Sequence, residues 1–214
     1  MKLVQALYED QSYDVDADEA IDMIKRNCKK FIKESKGKPL YRGTMNAPKE
    51  LLTKKDIRIR SKSGGYGKWF DAINKAMYND KMKFTRATAL LATGDKRQAD
   101  QYGDMYQIYI IGDYDFLWSN KIYDYADVEQ TLRKLYGNAK GSEYYLKYRT
   151  IAADYDFDEM GKMYWGLTKP AYSDKNLSVA IQSGNEIMFS GQSYYAVNTK
   201  HKDYKTVWHQ TKFI

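Results

Sequence analysis

The hydrophobic period of this chain changes along its length, and that change limits the possible folds more than any single motif does. In "DADEAIDMIKRNCKKFIKES", residues 16–35, Ala20, Ile21, Ile24, Cys28, Phe31 and Ile32 recur at helical spacing. Asp16 with Glu19 three residues on makes a capping box, and Gly37 and Pro39 end the segment. "KWFDAINKAMYND" repeats the period, with Trp69, Phe70, Ile73, Ala76 and Met77 on one face. A short helix, "KRQADQYG", and a helical stretch over 125–148 follow, and the segment from 149 to Leu177 reads as irregular. Strand-like runs are "PLYRGT" at 39–44, "MYQIYIIG", "YDFLWS", and then a cluster at the end: "LSVAIQ", "NEIMF", "SYYAV" and "YKTVWHQTKF". Helices mostly first and strands mostly last predict an α+β fold and not an alternating α/β one.

Between these runs, "PKELLTKKD" reads as a helical turn started by Pro48. "DIRIRSK" reads as a strand or extended arm. "SKSGGYG" is a flexible loop that lacks the Gly-Lys-Ser/Thr ending of a phosphate-binding loop. A chain of 214 residues suits one domain, here a helical preface at 1–38 and one compact unit at 39–214. That length buries a core without disulfides or metal.

The single cysteine, Cys28, excludes an intramolecular disulfide and reads as a small buried hydrophobe. His201 and His209 make no zinc spacing with it, so no metal is expected. The sequence has no membrane-length apolar run and no signal-peptide pattern, which makes the cytoplasm the expected location. The net charge of +7 permits an anionic ligand or nucleic acid. The 21 tyrosines favour strands and offer flat amphipathic surfaces to rings and sugars.

Three separated stretches fit one chemistry. In "PLYRGT", Arg42 ends a short strand, where a guanidinium can hold a planar anion, and Gly43 lets a ligand approach the backbone. In "LLATGDKRQADQYG", a strand ends in the hydroxyl of Thr93, and a Gly-Asp turn starts a helix whose Ala99 and Tyr102 face inward. In "SGNEIMFSG", a lone acid, Glu186, stands at the mouth of an apolar strand.

In this order the three resemble the mono-ADP-ribosyltransferases of the arginine–serine–glutamate class, and most of all the small phage-encoded members. The resemblance spans roughly residues 39–214. It matches Tyr41-Arg42-Gly43 to the aromatic-Arg-Gly strand. It matches Thr93 to the last hydroxyl of the Ser-Thr-Ser element, and Asp95, Ala99 and Tyr102 to the positions that follow. Glu186 matches the catalytic glutamate. Leu91 and Ala92 stand in the first two Ser-Thr-Ser positions; a register using Thr85 and Thr88 keeps more hydroxyls but spoils the distance to the helix. Gly184 stands where arginine-modifying members carry Glu or Gln, which argues against arginine as acceptor.

The resemblance implies a split core of two packed, mainly antiparallel sheets with NAD in the cleft. It implies transfer of ADP-ribose to a macromolecule, protein ahead of nucleic acid, in the manner of phage host takeover. Nicotinamide leaves a ribose with oxocarbenium character, and a carboxylate nearby stabilises that charge more than it stabilises the ground state. Arg42 would hold the pyrophosphate, with Tyr41 and Gly43 beside it. Thr93 would hydrogen-bond Glu186, and Tyr102 or Tyr106 would stack on a ring. Arg86 reads as a surface arginine. A basic, tyrosine-rich module that binds nucleic acid without chemistry, or a degenerate structural phage component, stands as the alternative.

Overall fold

The computed structural model describes residues 11–45, 49–57, 67–124, 127–154 and 156–212. It is α+β. Eight strands form one antiparallel sheet: β1 (Gln11–Tyr13), β2 (Leu40–Thr44), β3 (Leu52–Asp56), β4 (Leu90–Thr93), β5 (Asp104–Ile111), β6 (Asp115–Trp118), β7 (Glu186–Ser190) and β8 (Ser193–Asn198). Their order across the sheet is β1-β3-β8-β5-β2-β4-β7-β6. The two packed sheets expected from the sequence are here one sheet with a weak line in it. β2 and β5 pair over all five residues of β2, whereas β2 and β4 meet at one pair, Tyr41 and Thr93.

The first helical segment divides into α1 (Ala17–Asn27) and α2 (Lys29–Ser35) at Cys28. Asp16 accepts from the Glu19 amide, as its position in the sequence predicts. Ile24, Cys28 and Phe31 are buried in the same core cluster as the sheet residues Leu40, Ile108 and Tyr195, so the preface is continuous with the core of the main unit. Phe31 meets the ring of Tyr109 edge-on at 6.0 Å.

Several strand and loop expectations fail for identifiable reasons. "LSVAIQ" is a helix, α8 (Leu177–Ser183), and "YKTVWHQT" is another, α9 (Tyr204–Thr211). Their β-branched and aromatic content favours strands. The buried positions nonetheless fall at helical spacing: Leu177, Ala180 and Ile181 in one, Tyr204, Val207 and Thr211 in the other. The segment read as irregular holds the end of α6 (Asn138–Ala153) and all of α7 (Phe157–Thr168). Gly161 obscures the α7 pattern, yet a side chain there would strike the backbone of Ala72 in α3 (Gly67–Asn79). "LTKKD" is strand β3 and not a helical turn, because β1 and β8 flank it and satisfy its backbone. Most of "DIRIRSK" and of "SKSGGYG" lies outside the described residues.

The helices cover the two sheet faces unequally, and this places the cleft. Side chains alternate along a strand, so Glu186 and Met188 share one face and Ile187 and Phe189 the other. Ile187 and Phe189 pack in the cluster that holds α1, α2, α8 and α9 residues. Met188, Leu91 and Leu117 pack with Ile73 and Met77 of α3, Leu132 of α5 (Val128–Tyr136) and Tyr164 of α7. That second layer covers β4, β7 and β6. Beyond it lie β2, β5, β8 and β3, whose register sets Arg42 opposite Tyr106 and Lys55 opposite Tyr194.

Candidate active site

A cleft of about 840 Å³ lies along β2, β3, β5 and β8, within the range of small-molecule sites. Arg42, Thr93 and Glu186 all line it. Thr93 stands directly opposite Glu186 across β4 and β7, and opposite Tyr41 across β4 and β2. Three segments far apart in sequence therefore reach one wall on adjacent strands.

The contacts these residues make differ from those expected. The Thr93 hydroxyl donates to the Gly184 carbonyl at 2.6 Å and accepts from the Asp95 amide at 3.0 Å. It ties the turn after β4 to the turn before β7, and among the described residues it makes no bond to the Glu186 carboxylate. Arg86 holds that carboxylate instead. Its Nη2 donates to Glu186 Oε2 at 3.1 Å and its Nη1 to Oε1. The Arg86 and Glu186 side chains are 7% and 13% exposed, so Arg86 is no surface arginine. Position in the strand could not reveal this, because Arg86 lies in a turn before β4 and meets Glu186 only through the fold.

Arg42 Nη1 donates to the Leu91 carbonyl at 2.9 Å. Leu91 is in β4, so the guanidinium bridges the line where β2 and β4 share one backbone pair. Gly43 lies against α4 (Lys96–Asp100): a Cβ there would strike the Ala99 carbonyl. Its bare backbone admits that helix, and Gly43 also lines the cleft. Tyr41 is 2% exposed and also lines the cleft. Burial first, and Tyr204 second, push its phenol up.

One end of the cleft is acidic. Asp124 lines it, and Tyr102 donates to Asp124 Oδ2 at 3.0 Å. The Tyr102 phenol is pushed up to about 12, first by burial and then by the Asp124 charge. Gln98 also lines the cleft and is 4% exposed. Its Nε2 donates to the Tyr123 carbonyl at 3.0 Å, which also accepts the Glu186 amide. Its Oε1 has no hydrogen-bond partner among the described residues. The other end is cationic and aromatic, with Arg42, Lys55, Tyr106 and Tyr194, and the Lys55 ammonium lies 5.8 Å from the Tyr106 ring centre. Gln98, Asp124 and Lys55 carry no motif in the sequence; only the cleft collects them.

Gly184 has a structural cause. It caps α8 at φ +72°, a left-handed conformation suited to glycine. A Cβ there would lie 3.2 Å from that of Asp95. Asp95 is thus the carboxylate beside position 184, where its Oδ2 accepts from the Tyr123 hydroxyl at 3.2 Å.

Comparison with protein-family models, with curated proteins and with solved structures finds no match.

Proposed function

We propose that this protein transfers ADP-ribose from NAD to a macromolecular acceptor, protein ahead of nucleic acid, and releases nicotinamide. The observation that carries this reading is the meeting of Arg42, Thr93 and Glu186 on neighbouring strands along one wall of a cleft. The cleft's residues suit a molecule with two phosphates, two sugars and two rings. Arg42 and Lys55 offer positive charge for phosphates. Tyr106 and Tyr194 offer ring faces. Gln98 Oε1 is a buried acceptor that an amide N–H of a ligand would satisfy.

NAD supplies a ribose–nicotinamide bond whose cleavage places positive charge on the ribose. Glu186, at the acidic end, is the group to stabilise that charge. The Arg86 contact leaves it able to act, because each carboxylate oxygen has a second lone pair for a ribose hydroxyl. Thr93 sets the height of the Glu186 strand through Gly184.

The test is incubation with labelled NAD, with and without cell extract, followed by separate protease and nuclease treatment of the products. Nicotinamide release with protease-sensitive label is the expected result. Nuclease-sensitive label would move the acceptor to nucleic acid. Salt-sensitive retention of nucleic acid without nicotinamide release would favour a binding module and sink the enzymatic reading.

A further inference from the structure

We propose that Arg86 is the positioning residue for Glu186, and that the turn Thr85–Thr88 exists to aim it. The proposal rests on the reading of Glu186 as the acid of the site. Three observations support it. The first is the two-pronged contact itself, made between two nearly buried side chains. A planar guanidinium facing a carboxylate fixes direction as well as distance.

The second is the way the turn is held. The Thr88 hydroxyl donates to the Thr85 carbonyl at 3.2 Å and accepts from the Thr85 amide at 3.0 Å. The Thr88 amide closes the same turn onto the Thr85 carbonyl at 3.1 Å. Thr85 and Thr88 are the residues of the alternative hydroxyl register, and here Thr88 acts through its hydroxyl and Thr85 through its backbone. They close the turn on which Arg86 rides.

The third is an anchor from outside. The Ala87 amide donates to Asn74 Oδ1 at 2.8 Å, and Asn74 Nδ2 donates to the Phe70 carbonyl at 2.7 Å. Asn74 is thereby fixed on α3, whose first turn also lines the cleft. A turn fixed internally and externally leaves the Arg86 backbone little freedom. Glu186, at the first residue of its strand, depends on Arg86 for orientation because Thr93 is committed elsewhere.

The experiment compares wild type, Arg86→Lys and Asn74→Ala for nicotinamide release, and adds a crystal structure of Arg86→Ala. Lysine keeps the charge but loses the fork. Arg86→Lys should lower kcat roughly 10–100-fold, the cost of a misplaced catalytic group. Its KM for NAD should stay within about twofold, since Arg42 and Lys55, the proposed phosphate contacts, are unchanged. Asn74→Ala, which keeps Arg86 but frees its turn, should lower kcat about threefold with the same KM, a smaller misplacement. In Arg86→Ala the Glu186 side chain should leave its wild-type position.

A kcat for Arg86→Lys equal to or above wild type would overturn the proposal, and so would a Glu186 that stays in place without Arg86. Absence of turnover in wild type would fail the proposed function instead. The position of Glu186 in the Arg86→Ala crystal would then still decide for or against positioning. Should Arg86→Ala not fold, the same comparison is made on a crystal of Asn74→Ala, where an unmoved Arg86 and Glu186 would overturn the proposal.

Discussion

At Glu186 the chemistry of the site and the stability of the fold are joined in one side chain. Glu186→Gln keeps the size and removes the charge, so activity should fall on the order of 100-fold or more. It also removes one charge with which the nearly buried Arg86 guanidinium is paired. Thermal unfolding should therefore show a loss on the order of 1–3 kcal/mol. Activity within about twofold of wild type would remove Glu186 from the proposed catalytic role. Thr93 behaves differently. Its hydroxyl satisfies a carbonyl and an amide in two turns, so Thr93→Ala should cost about 1–3 kcal/mol of stability, whereas Thr93→Ser keeps both bonds and should restore most of it. Denaturant midpoints of the two variants decide this, and equal midpoints would show the hydroxyl to be idle. Arg42→Lys replaces a fork that already spends one arm on Leu91. An ammonium cannot bridge that carbonyl and a pyrophosphate with the same geometry, so titration calorimetry should show NAD affinity roughly tenfold weaker, about 1.4 kcal/mol.

Among the elements, α4 shows how tightly the site is framed. Its axis is set by the bare backbone of Gly43, against which the Ala99 carbonyl lies. Gly43→Ala would push α4 off β2 and should lower stability by about 1–3 kcal/mol, the range for overpacking. A circular-dichroism melt is enough to see it, and an unchanged midpoint would mean that α4 can slide away at no cost. The helices α1, with its clean period and cap, and α3, with its clean period, were legible in the sequence, as were the strands β2, β4, β5, β6, β7 and β8. α8 and α9 were not, because short apolar segments rich in Val, Ile, Tyr and Trp satisfy both periods and only the packing partner decides. That Arg42, Thr93 and Glu186 line one cleft is what the resemblance of the three stretches implied. Arg86 and Gln98 were not legible there, since each is placed by a turn or a five-residue helix whose direction no periodicity encodes.

At the scale of the whole molecule, the helical layer over β4, β7 and β6 is fastened at its far side by Asp80. This carboxylate, just beyond α3, accepts from Trp165 Nε1 at 2.9 Å and pairs with Lys169 at 2.6 Å. Lys169 first, then Trp165, holds its pKa below the ordinary carboxylate value. A depressed folded value gives stabilisation that is present above the unfolded value, about 4, and is lost as pH falls through the lower folded one. Asp80→Asn should therefore melt below wild type at pH 7, and the gap should close in acid. A gap independent of pH would show that charge plays no part there. The single pair between β2 and β4 has a consequence of another kind. The chain passes from one side of that line to the other between β3 and β4, β4 and β5, β5 and β6, and β7 and β8, as the strand order requires. The two parts of the sheet are thus interlaced like stitching and cannot be expressed as separate fragments or parted by one cut. The Tyr41–Thr93 pair is the rung that joins β2 to β4. Arg42 stands on one side of this rung and Glu186 on the other, so a ligand long enough to touch both would act as a brace across the stitching. Amide exchange at Tyr41 and Thr93 would register that brace as slowed opening.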